Sequence, residues 1–444
     1  MRDIPEQPAA WRPAWLAPLA AGIAIAIIFI ALNYRAYDGF FQDDELDNLS
    51  WTPHVTAGEF AVAFVKPLFD VQNFRPPGHV YFAVMGRLFG EDYPPWMTPI
   101  FAMHLLNGLL VYALARRMSV GVWQALAATG FFTWSAGAFD AYWKPMYCFD
   151  LLCTAFSLAS ILLYAHRRWV FSFAAFWCAY KSKELAVMLP VVLLAWEYWF
   201  GDPRQGNRRY LRLLPFLLTS LSFGLQGLLE NPNKDNDYTF RFTWKALTAT
   251  VPFYARRFLL FRGSGLLLVG LIAIRDRRVW FGLTAAVCFL FTLLFLPGRL
   301  FEAYTYLPLA GAAIALAAAA SRVRPVCAWI AIAVWMPFNV HHLYKEQSAK
   351  LAADDEAYAY VDAINHWVAK NPGIGTLVYD GVPRGYHHWG PASAWSIAHR
   401  AIDVPAYFVD WPQAKKAMAS GPVAYGAWDE ETSRLILTTR QPAP

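Results

Sequence analysis

Long apolar runs broken by short polar stretches dominate the chain as far as about position 343. The runs are continuous and do not alternate with a period of two, which argues against a β-barrel. A helix that crosses the hydrocarbon core needs about 20 apolar residues. The pattern predicts a polytopic α-helical membrane protein with roughly eleven spans, near 14–32, 96–115, 121–139, 146–165, 169–180, 185–200, 211–229, 258–274, 279–296, 304–320 and 325–343. The run at 169–180 is short for a crossing, and 246–274 reads as one bent helix or as two pieces. The first run, Trp15–Leu32, is followed by no small-residue cleavage site and reads as a retained signal anchor.

The polar breaks carry a second pattern. Alternate loops hold "ARR" (115–117), "HRR" (166–168), "RQGNRR" (204–209), "RDRR" (275–278) and "RVR" (322–324). With the predicted spans all five fall on one side, which the positive-inside bias makes the cytoplasm. The N-terminus is then cytoplasmic. The opposite side receives loop 33–95, "WKPMY" (143–147), "YKSKEL" (180–185), the loop 230–257, "PGRLFEAYTYLP" (297–308) and the C-terminal tail. The chain divides into a membrane part, 1–345, and an extracytoplasmic part, 346–444. In the tail, "DDEAYAYVDAINHWVAK" (354–370) has helical periodicity. "GTLVYDGVP" and "VPAYFVD" read as strands, and "VAYGAWDEETSRLILTT" as a hairpin, so a small α/β domain is expected.

Composition agrees with the class. The chain of 444 residues is 57% hydrophobic and only 16% charged, where soluble domains average roughly a quarter. The net charge of +6 sits in the interspersed loop clusters, a pattern that sets topology and does not suggest nucleic acid. The cysteines, Cys148, Cys153, Cys178, Cys288 and Cys327, all lie in apolar stretches, so no disulfide framework is implied.

Loop 33–95 is long for a connector. It holds two amphipathic stretches, 56–69 and 73–90, suited to lying in the membrane interface. Ahead of them stands "FFQDDELDNLSW" (40–51), with Asp43, Asp44, Glu45 and Asp47 packed together. Acids are favoured in the first turn of a helix, so the cluster can be a solvated helix start. It can also be chemistry: one carboxylate takes a proton from a hydroxyl, and a neighbour holds a divalent cation that carries a phosphate.

The ordered motifs resemble a family. "QDDELDNL", "FRPPGHVYFAVMGRLFG" (74–90), "HLLNGLLVYALARRM" (104–118), "YKSKELAVMLPVVLLAWE" (180–197) and "RLFEAYTYLPLAGAAIAL" (299–316) are similar, in sequence order, to polytopic glycosyltransferases of the GT-C fold. The likeness is greatest to the protein O-mannosyltransferase and tetratricopeptide-linked mannosyltransferase-like branch. It covers the membrane part and not the tail, and no repeat array follows.

The resemblance implies an inverting transfer of a sugar from a polyprenyl-phosphate donor to a hydroxyl of an extracytoplasmic glycan, lipid or protein, in a bacterial inner membrane. It places the general base at Asp43 or Asp44, with Asp43 slightly preferred. Asp44 and Glu45 then hold a divalent cation, Mg or Mn, or help bind the acceptor. The same side carries Arg75, Lys181, Lys183, Arg256, Arg257 and Arg299 as cations for the leaving phosphate, with His79, Glu184, Glu302 and Tyr304 as further contacts. Each has a plain structural alternative: Arg256-Arg257 and Arg299 as interfacial anchors, Lys183-Glu184 as an ion pair at a helix start. His79 can face the cavity, whereas His104 reads as a buried hydrogen-bonding group with Asn107. The pairs His341-His342 and His387-His388 lack the carboxylate or cysteine partners of a zinc site and read as non-metal. "NPNKDNDYTFRF" (231–242) matches no family motif. A transporter or flippase of lipid-linked sugars is the alternative class, but such proteins place charges at mid-span on broken or repeated helices, and here the charges gather at one face.

Overall fold

The computed structural model describes residues 15–69, 74–230, 237–261 and 263–440. In chain order the helices are α1 (Leu16–Asn33), α2 (Asp43–Trp51), α3 (Ala57–Val65), α4 (Pro76–Phe89), α5 (Pro94–Arg117), α6 (Val122–Trp134), α7 (Asp140–Trp143), α8 (Cys148–Ala165), α9 (Trp169–Ser182), α10 (Leu189–Phe200), α11 (Leu214–Glu230), α12 (Trp244–Leu259), α13 (Ser264–Gly270), α14 (Arg277–Phe291), α15 (Tyr306–Ala320) and α16 (Pro325–Lys370). The tail continues with β1 (Leu377–Asp380), α17 (Trp389–Ala398), β2 (Ala406–Phe408), α18 (Pro412–Ser420), β3 (Val423–Asp429) and β4 (Arg434–Arg440).

Among the described residues, five helical segments are long and apolar enough to cross a membrane: Leu16–Asp38, Pro94–Arg117, Pro145–Ala165, Glu302–Ala320 and Pro325–Lys370. The other expected spans fall on shorter helices. The stretch 246–274 is two pieces, because Leu260 and Gly263 take left-handed backbone (φ 68° and 80°) between α12 and α13. The bundle shows its apolar side outward: Ile23, Ile27 and Ile30 of α1 and Val326, Ile330 and Val334 of α16 are exposed.

Close helix contact rests on small residues. A Cβ on Gly282 of α14 would stand 2.5 Å from the Ala315 nitrogen, and one on Gly311 of α15 would stand 2.6 Å from the Ala286 nitrogen. Gly282/Ala286 facing Gly311/Ala315 is the spacing that lets two membrane helices pack backbone to backbone. At one end of the bundle the basic loops join. Arg117 donates to the Ala165 carbonyl (2.6 Å), Arg278 to that of Ser119 (3.3 Å) and Arg322 to that of Arg275 (3.2 Å).

The division expected at 345/346 falls inside α16. Nothing breaks this helix where it leaves the apolar part: "HHLYKEQSAKLAADDEA" is built largely of good helix formers. Its 46 residues span about 69 Å at 1.5 Å per residue. Asn339 anchors the membrane half by donating to the Trp134 carbonyl (2.7 Å) and accepting from the Ala136 amide (2.8 Å). The tail sheet runs β2-β1-β3-β4; β1 is parallel to β2 and β3, and β4 closes antiparallel on β3.

Candidate active site

The acid motif forms the first turn of α2. The Gln42 amide donates to Glu45 Oε2 (2.8 Å), the reach-back half of a capping box. Glu45 Oε1 accepts from the Met146 amide (2.9 Å). Glu45 is fully buried, and burial pushes its carboxyl up to about 7 against the pull of the Lys144 charge. Each oxygen accepts a backbone amide, so Glu45 ties α2 to the turn before α8. An Asp44/Glu45 metal pair, as expected from the sequence, would have to share Glu45 with these two bonds. Among the described residues no three His, Cys, Asp or Glu side chains converge as a cation site.

The tail reaches the motif directly. Asp43 Oδ2 accepts from the His387 amide (3.0 Å) and pairs with His387 Nδ1. Gly390 makes room at that contact, since a Cβ there would lie 3.0 Å from Asp43 Cβ. The Trp389 indole stacks on the His387 ring (4.2 Å) and donates to Asp44 Oδ1 (2.9 Å). Asp43 is buried, whereas Asp44 is exposed. Partial desolvation, then the Asp43 charge, raise the Asp44 carboxyl, while the Trp389 bond and the His387 and Arg299 charges draw it down. Asp47 is pushed up to about 6 by desolvation and by Asp44 and Asp43.

Arg299 is half-buried between the rings of Tyr238 (4.4 Å) and Phe301 (4.5 Å). It has no carboxylate ion pair among the described residues. Its guanidinium lies 3.5 Å from the Tyr304 hydroxyl. The Tyr304 ring covers Lys183 Nζ (4.7 Å), which is bound to both Asp150 oxygens (2.7 and 2.6 Å). Arg75 pairs with Glu184 (2.9 Å) and lies over Phe149. Arg299, Tyr304, Lys183 and Asp150 thus form a connected run, with the Arg75–Glu184 pair next to Lys183 in the chain, and the Arg299 charge acts on Asp44 through space.

Other expected residues sit elsewhere or are already engaged. Lys181 donates to the Leu68 carbonyl (3.1 Å) and packs on Phe69 (4.9 Å), clamping the segment after α3. Arg257 is bonded to Glu302 and contacts His342 Nε2 (3.1 Å), joining α12 to α16. Arg256 is exposed and rests near Phe253 (5.5 Å). His79 does not face a cavity. It is buried among Trp51, Phe74 and Phe149, pushed down to about 3, and accepts from the Arg75 amide (2.9 Å). His104 bonds the Tyr306 hydroxyl (2.7 Å), which Asn107 also reaches (3.2 Å). Of the unmatched 231–242 stretch, residues 231–236 lie outside the described residues.

Three partners escaped the sequence reading. Asp150 had a signal: an acid within an apolar span is a functional candidate in its own right. His387 and Trp389 had none, because their partners lie more than three hundred positions away.

No family model and no curated protein sequence matches the chain. Among solved structures, ArnT from Cupriavidus metallidurans in the apo state is similar, with a TM-score of 0.59 and 12% identity over 96% of this chain and 100% of that one. The same protein bound to undecaprenyl phosphate gives a TM-score of 0.51 and 14% identity over 98% and 100%. The chain has the GT-C fold. Both of these structures are of ArnT, and the likeness reaches the fold without confirming the mannosyltransferase branch that the motifs resemble.

Proposed function

We propose that the protein is an inverting glycosyltransferase that moves a sugar from a polyprenyl-phosphate donor to an extracytoplasmic hydroxyl, from a bacterial inner membrane with the N-terminus inside and the tail in the periplasm. The observation that carries this reading is Asp44: an accessible carboxylate at the start of α2, within reach of the Arg299 charge, on a GT-C fold. The ArnT structure that holds undecaprenyl phosphate supports a lipid-phosphate donor.

Asp44 acts as the base. Its Oδ2, which carries no hydrogen bond among the described residues, takes the proton of the acceptor hydroxyl as that oxygen bonds to the anomeric carbon. The bond from that carbon to the phosphate oxygen breaks, and its electron pair leaves with the polyprenyl phosphate. Attack opposite the leaving group inverts the centre. Arg299 meets the growing phosphate charge, a task that suits a guanidinium held ready between two rings. Lys183, neutralised by Asp150, supports Tyr304 beneath it. Asp43, slightly preferred as base from sequence, is instead a positioning residue, because it is buried and His387 holds its Oδ2 through both ring and amide.

The test is Asp44→Asn in the purified full chain, assayed with a polyprenyl-phosphate sugar. The expected loss is roughly a hundredfold or more in rate, the scale of general-base catalysis, with thermal stability kept. Transfer at the normal rate by Asp44→Asn rejects the assignment.

A further inference from the structure

The end of the bundle away from the acid motif holds a second site. A cavity of about 410 Å³ opens there, lined by Arg117, Arg167, Arg212, Arg277 and Arg278 against two carboxylates, Glu197 and Asp202. Both carboxylates are in part engaged already: Glu197 Oε1 accepts from the Tyr164 hydroxyl (2.7 Å), and Asp202 caps the Arg204 amide (3.0 Å). Among the described residues only Arg278 of the five has an ion-pair partner, Asp276 (2.8 Å). The others are held by different means. Arg212 stacks on Trp169 (3.8 Å), and Arg277 lies near Phe200 (5.2 Å) and donates to the Trp199 carbonyl (3.2 Å). Five guanidinium groups against these carboxylates leave the cavity net positive, and those held by rings and carbonyls are placed to receive an oxyanion.

An apolar groove of about 370 Å³ is tied to this cavity by the bond from Arg277 to the carbonyl of Trp199, which lines the groove. It follows one face of α14 through Trp280, Leu283, Thr284, Val287 and Cys288, with Trp199 as its other wall. The positions recur at helical spacing, and they start three residues after Arg277, so groove and cavity meet at the head of α14. From Arg277 to Cys288 the helix rises about 16 Å at 1.5 Å per residue.

We infer that this end of the protein binds an anionic phospholipid, its phosphate in the arginine cavity and one chain along α14. A soluble phosphate compound would use the cavity but leave the groove idle. The occupant is thus a lipid of the leaflet opposite the proposed transfer site. It engages none of the residues placed there.

The test uses the purified full chain. Native mass spectrometry compares retention of phosphatidylglycerol and phosphatidylcholine, and inorganic phosphate serves as competitor. Phosphatidylglycerol is expected to be held at least tenfold more tightly than phosphatidylcholine. Arg167→Gln with Arg212→Gln should remove that preference. Val287→Trp, on an exposed position that fills the groove, should weaken retention of phosphatidylglycerol about as much, with both arginines kept. Equal retention of the two lipids, or retention unchanged in both variants, overturns the proposal. So does displacement of the lipid by millimolar phosphate, which would mark a soluble-anion site.

Discussion

Lys144 and Asp354 are both 1% exposed and meet at 2.5 Å. The ammonium also donates to the Phe40 carbonyl (2.6 Å), so one side chain joins the segment before α2, the "WKPMY" turn and α16. Without it, Asp354 Oδ1 keeps a long bond from Gln42 (3.4 Å) and Oδ2 has no hydrogen-bond partner, with the Phe40 backbone and the more distant Lys350 charge as the remaining, weaker support. Lys144→Met therefore strands a buried carboxylate, which costs about 3–5 kcal/mol. Replacing both members, Lys144→Met with Asp354→Leu, removes the stranded charge. It leaves chiefly the Phe40 carbonyl unsatisfied, which costs about 1–3 kcal/mol. The double variant should thus be more stable than Lys144→Met alone by about 2 kcal/mol. Unfolding of the full chain in mixed micelles, followed by tryptophan fluorescence, measures the cycle. A loss below about 1 kcal/mol for Lys144→Met, or a double variant no better than the single one, would refute the view that this buried pair fastens α16 to the acid motif.

Four further outcomes are expected. As the proposed base, Asp44 would work deprotonated, and its carboxyl is raised, so kcat/KM should fall with decreasing pH at a point above the ordinary aspartate value of about 3.9. Trp389→Phe removes a bond that favours the charged form and should move this limb to higher pH; an unmoved or lowered limb contradicts the placement. His387→Ala withdraws the ring from buried Asp43 and should cost about 1.5–3 kcal/mol of stability, read by thermal denaturation, and an unchanged melt would show the clasp to be idle. Excess chelator should leave transfer at full rate, because the Glu45 oxygens are taken by amides; loss restored by added magnesium would count against that reading.

Much of this architecture is written in local pattern. Apolar runs, alternating basic loops and the strands at 377–380 and 406–408 depend on residues close in sequence, and so does the acidic first turn of α2. Individual roles were harder to read. Lys183 looked available for phosphate until Asp150, 33 positions earlier, closed on it. Arg257 found Glu302 and His342. His387-His388 seemed to lack a carboxylate because Asp43 is 344 positions away. Glu45 reads like its neighbours in sequence, and only the phase of the helix turns it inward while Asp44 faces out. Charges show in sequence; the partners that neutralise them come from the fold.

The unbroken rod of α16 has a mechanical corollary. A tail hung on a loose tether would sample many orientations and cover the acid motif only part of the time. Carried on a stiff stalk bolted to the bundle by Asn339 and again by Asp354, it docks as an intramolecular event with its orientational entropy already settled. The roof over Asp43 is accordingly a standing part of the structure and not a lid that comes and goes.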